Sequence, residues 1–178
     1  MSNRKVIAQI ALTLFIPCLM IQPALSQAKP AKYTLTEFQT LCMAKYRMQD
    51  CPPGSVTHQI LADGKKAIPI LISQLTETAR TKYQIADFWG ETSSGDVAFV
   101  VLNDLFTDDD LRTFEMPGVP DWSAVQKGCN QAAQACWNEY LRKHGRMWVR
   151  ESWQRAWNLH KDEIHWDAKA KCFRVSKD

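Results

Sequence analysis

Glycine is scarce, seven in 178 residues, and the glycines never cluster. No G-x-G-x-x-G and no P-loop is present, which excludes the usual glycine-built phosphate cradles. G-x-S-x-G, C-x-x-C and H-E-x-x-H are also absent, so no familiar nucleophile elbow, dithiol or zinc-protease signature can be placed. Alternating apolar and polar runs are lacking, and β-sheet is not expected as a main element. No basic stretch stands alone, which argues against a nucleic-acid binder.

Long apolar runs are missing except at the start. Arg4 and Lys5 precede a mostly apolar stretch from Val6 to Ile21, and Ala24-Leu25-Ser26 places small residues where a signal peptidase cuts. A cleavable signal peptide over residues 1–26 is the expectation. The run is too short for a membrane span of about 20 residues, so no stable membrane insertion is expected after cleavage. Gln27–Asp178 then forms one domain, with 27–33 a loose arm, in the periplasm or outside the cell.

Charge is unevenly spread. Gln27–Gln84 has eight basic and four acidic residues, Ile85–Asp121 has one and nine, and Asn138–Asp178 has ten and six. An acidic middle between basic ends favours internal pairing. Of the six cysteines, Cys42, Cys51, Cys129, Cys136 and Cys172 lie beyond the signal segment. Export implies an oxidising compartment, so Cys42–Cys51 and Cys129–Cys136 are the expected short-range disulfides, with Cys172 left over.

What is abundant is helical spacing. Thr34 and Glu37 suggest a capping box that starts a helix running to about Arg47. Ser55 can cap a short helix that Gly64 ends. The stretch GKKAIPILISQLTET sets Ile68, Leu71, Ile72 and Leu75 on one face, with Pro69 among them. Proline is tolerated where amides have no intrahelical partner, so Pro69 belongs in or just after the first turn of a helix starting near Lys65. Ser93 or Ser94 caps the next helix, which has Asp96 near its start and a broad apolar face from Val97 to Phe106. Gln131–His144 and Met147–Ile164 are further helices separated by Gly145, and CFRV near the end is a possible short strand.

Gly64, Ala67, Ile68, Pro69, Leu71 and Leu75, followed by the second apolar helix, resemble a single HEAT- or armadillo-type unit over residues 64–106. The resemblance implies an antiparallel helix pair in which GKKAIPILISQLTET leans on Gly95–Phe106. No second copy follows, and a continuous repeat core needs about three. The expected fold is therefore an all-α, single-domain bundle of about six helices with a HEAT-like hairpin and short disulfide loops.

Two ligand-type clusters invite metal. Asp108, Asp109 and Asp110 lack the alternation and the glycine of a calcium loop, and carboxylates in a first helical turn suit the helix dipole. His160, Glu163 and His165 are the densest nitrogen–oxygen set, but their spacing fits no zinc motif. Five of the seven tryptophans, Trp137, Trp148, Trp153, Trp157 and Trp166, fall between residues 137 and 166. Trp153 and Trp157 share a helix face and suit a core, whereas Trp148 lies off that stripe. Trp148 with Arg146, Arg150 and Arg155, or alternatively the acidic region of Asp108–Asp110, forms the expected binding surface. The leading expectation is an exported, non-enzymatic module that binds a protein partner, in one form an inhibitor or immunity-type protein, without cofactor or metal. The alternatives are a metal-assisted hydrolase using His160, Glu163 and His165, and a structural envelope protein.

Overall fold

A computed structural model describes residues 32–39, 52–83, 91–107, 119, 129 and 133–176. The expected signal peptide, most of the expected arm, the helix to Arg47, the Cys42–Cys51 pairing and Asp108–Asp110 lie outside the described residues.

Thr34 does not cap a helix. Leu35–Glu37 is a single 3-10 turn, and Phe38 is already extended at φ −64°, ψ 133°. Leu35 and Phe38 are drawn into the core, and Glu37 pairs with Lys82 instead of reaching back to the Thr34 amide. The preceding residue, Tyr33, is held firmly. Its backbone exchanges two hydrogen bonds with the Gln74 side chain, and its hydroxyl donates to Asp63 at 2.6 Å.

Helix α1 (Val56–Asp63) starts where Ser55 Oγ accepts the His58 amide. It ends at Gly64, whose φ of 54° suits glycine. One 3-10 turn, Gly64–Lys66, leads into α2 (Ala67–Gln74). Pro69 is the third residue of α2, in the first turn, where its missing amide costs little. Ile68, Leu71, Ile72 and Leu75 are all buried.

Helix α3 (Ser94–Leu105) opens with a complete capping box. Ser93 Oγ accepts the Asp96 amide, and Asp96 accepts the Ser93 amide. The strands of chain on either side of residues 84–90 run back along each other, with Thr81 donating to Thr92 O and Ser94 to Ala79 O. The start of α3 therefore meets the end of α2, and α2 packs chiefly on α3. Gly95 permits that approach. A Cβ there would lie 2.6 Å from both the Leu75 and Glu77 carbonyl oxygens.

Helices α4 (Ala133–His144) and α5 (Arg146–His160) follow, turned against each other at Gly145, whose φ is 79°. A disulfide joins Cys129 to Cys136 at the head of α4. Here the chain departs from the all-α expectation. Helix α5 stops at His160 and does not continue to Ile164. Strand β1 (Ile164–Asp167) pairs antiparallel with β2 (Cys172–Val175), setting Ile164 opposite Val175 and Trp166 opposite Phe173.

A six-helix all-α bundle is thus wrong. The described residues form a helical body with a terminal β-hairpin. Three contacts explain the switch: Ile164 is buried, Trp166 meets Phe173 edge-on at 5.1 Å, and Asp167 caps the turn by accepting the Lys169 and Ala170 amides. The hairpin is also tied to the body. Lys65 Nζ donates to Ile164 O at 2.7 Å, and Phe173 packs on Phe106, which in turn meets Trp153. Cys172 is fully buried on β2.

Candidate binding surface

An aromatic ladder runs from the core to the surface. Phe99 of α3 stacks on Trp137 of α4 at 3.7 Å between centroids. Trp137 stacks on Tyr140 at 6.1 Å, Tyr140 meets His144 at 4.6 Å, and His144 stacks on Trp148 of α5 at 4.6 Å. Positions 137, 140 and 144 share one face of α4 by their three- and four-residue steps. Gly145 then turns the chain so that Trp148 closes onto that face. Trp137 is almost fully buried at the inner end, while Trp148 is 39% exposed at the outer end. Burial between them pushes the Tyr140 hydroxyl pKa up to about 12.

The ladder is anchored by Asp96. Its Oδ1 accepts the Trp137 indole N–H at 2.8 Å and Arg146 Nη2 at 2.7 Å, while its Oδ2 accepts the Ser93 amide and hydroxyl. Burial alone would raise this carboxyl's pKa. The Trp137 and Ser93 hydrogen bonds and the Arg146 charge outweigh burial and hold it below the usual value. Sequence reading missed this hub because Asp96 and Arg146 are fifty positions apart.

The expected surface residues therefore have different fates. Arg146 is committed to Asp96 and serves to fix the start of α5. Arg150 is half-buried. Arg155 is exposed, with Nη2 donating to Ser152 Oγ at 3.1 Å. Trp153 is buried, Trp157 is partly buried, and Trp166 is exposed on the hairpin. Asp108–Asp110 lie outside the described residues. Met147, next to Trp148, and Leu159, three turns further along, are exposed on α5 and were not singled out by the sequence.

The histidine cluster does not assemble. His160 Nδ1 lies 2.9 Å from Glu163 Oε2, but His165 Nδ1 faces the Glu163 carbonyl and Ser176 Oγ, each at 3.3 Å. Among the described residues, no three His, Cys, Asp or Glu side chains converge as metal ligands. A polar recess of about 450 Å³ between Thr34–Gln39 and Pro52–Gln59 holds Glu37, whose carboxylate is already paired with Lys82. No described helix is long and apolar enough to cross a membrane. No protein-family model, curated protein or solved structure matches the chain.

Proposed function

We propose that this chain is an exported, non-enzymatic module that binds a protein partner in the periplasm or outside the cell, with Trp148 as its principal anchor. An inhibitor or immunity-type protein is one form of that role. The observation that carries the reading is the state of Trp148: an indole that is 39% exposed, yet stacked on His144 and backed by Tyr140. A large amphipathic ring already held in place loses little conformational entropy on binding, and such rings dominate interface energetics. On α5, exposed Glu151 lies about one turn from it and exposed Arg155 about two turns. The Cys129–Cys136 disulfide is in keeping with an oxidising compartment.

Quantitative capture from the native cell envelope under non-reducing conditions tests the reading. One stoichiometric partner, lost on Trp148→Ala with unchanged circular dichroism, is the expected result. Capture of no partner, or of one indifferent to Trp148→Ala, overturns it.

A further inference from the structure

Tyr140, His144 and Trp148 form a triangle of rings where α4 turns into α5. His144 lies 4.6 Å from each of the other two, and those two are 6.2 Å apart. The imidazole is inclined by only 27° to the indole, so these two rings lie face to face. His144 is the last residue of α4 and is half-buried, so water still reaches it. Among the described residues it makes no hydrogen bond, and its partners are the two rings.

Imidazole differs from the other two rings in one respect: in its ordinary state it changes charge between pH 5 and 8. An indole does not titrate, and burial pushes the Tyr140 hydroxyl up to about 12. A cation stacked on an indole face is attracted by the ring's quadrupole, and a neutral ring lacks that attraction. The surrounding charges do not cancel it. Arg142 and Lys143, in the last turn of α4, are exposed, so solvent weakens their repulsion, and Arg142 lies 3.9 Å from Glu139. Arg146, at the start of α5, is paired with Asp96 of α3. Further along α5, half-buried Arg150 is followed by exposed Glu151. The end of α4 favours a cation at this corner and the start of α5 opposes one, so the helix dipoles offset each other. The ring contacts decide.

Resting on the protein-binding reading of Trp148, we infer that His144 is a proton-operated clamp on the indole, which locks Trp148 in its presented position when the imidazole is charged and loosens it when the imidazole is neutral. A cation–π contact at a half-exposed site shifts the ratio of docked to released ring about fivefold. A partner that needs the ring in place then binds more weakly at pH 8 than at pH 5.5, by as much as about that factor.

The test is NMR of the oxidised, isotope-labelled protein between pH 5 and pH 8. The Trp148 indole N–H and the His144 imidazole C–H should follow one single-proton curve, with the Trp148 side chain less mobile on the acid side. His144→Gln should abolish the Trp148 response. His144→Arg, which supplies a permanent planar cation, should hold the ring at its acid-side mobility throughout. Equal mobility at pH 5 and pH 8, greater mobility on the acid side, or a response that persists in His144→Gln overturns the inference. Where a variant fails to fold, the wild-type mobility decides by itself. A captured partner should favour the wild type at pH 5.5 over pH 8 by a ratio that His144→Arg removes. A partner that needs Trp148 but shows the same pH dependence with both proteins overturns the clamp and leaves the protein-binding reading standing. Capture of no partner removes that reading itself.

Discussion

The Trp137 indole N–H and the Arg146 guanidinium converge on one oxygen of Asp96, at 2.8 and 2.7 Å. Through that atom the start of α3, the middle of α4 and the start of α5 are joined. Ser93 satisfies the second oxygen. The capping box that begins α3 therefore also fixes the elbow that presents Trp148.

Asp96→Asn keeps the shape and removes the charge. The carboxylate is largely buried, but the Arg146 side chain is 24% exposed, so solvent screens part of the pair. A loss of about 2 kcal/mol in urea unfolding is expected. The pH dependence has a definite sign. The folded pKa lies below the unfolded value, so this stabilisation is complete above the ordinary carboxylate range and is lost as pH falls through the folded value. Between about pH 5 and pH 2 the wild type should lose stability more steeply than Asp96→Asn. Parallel curves would show that the pair contributes nothing.

Two buried tryptophans should respond differently to removal of the indole N–H. Trp137 donates to Asp96, whereas Trp153 Nε1 is buried with no hydrogen-bond partner among the described residues. Trp137→Phe deprives Asp96 of a donor and leaves a gap beside Phe99, and should cost about 3 kcal/mol. Trp153→Phe relieves an unsatisfied donor while leaving a similar gap, so about 1 kcal/mol is expected. Equal losses by chemical denaturation would contradict the assignment.

Gly95→Ala should destabilise although α3 is a helix, where alanine is ordinarily preferred. The new methyl would sit 2.6 Å from two backbone carbonyl oxygens at the end of α2, and neither can yield without moving that turn. A loss of about 2–3 kcal/mol is expected. A gain in thermal stability would mean that α3 and the end of α2 are further apart than described.

The Cys129–Cys136 disulfide closes a short loop onto the first turns of α4. The chain-entropy model gives about 2–3 kcal/mol for a loop of this size. A Cys129→Ser/Cys136→Ser protein should lose about that amount and show faster amide exchange at Cys136–Trp137 than elsewhere in α4. Unchanged exchange there would mean the bridge does not brace the helix.

Local signals were legible in the sequence wherever a residue's role is settled by its near neighbours. Ser55 caps α1, Gly64 ends it, Pro69 lies in the first turn of α2, and Ser93 with Asp96 opens α3. The errors come from distant partners. Thr34 and Glu37 have capping-box chemistry, but Lys82 takes Glu37. Ile164 continues the α5 periodicity, yet pairing with Val175 draws it into a strand, and a four-residue strand is too short to show alternation. At the candidate surface, the tryptophan stripe on α5 could be read from spacing. The loss of Arg146 to Asp96, and the exposure of Leu159, depend on how α3 and α4 pack against it.

Photo-cross-linking in the native envelope tests the central claim most directly. The reactive side chain replaces Glu151, exposed one turn from Trp148, or in a control Lys169, exposed in the hairpin turn. One defined protein adduct from position 151, absent from position 169 and abolished by Trp148→Ala, is the expected result. Identical adduct patterns from both positions, or none from 151, would contradict a docking role for the Trp148 edge.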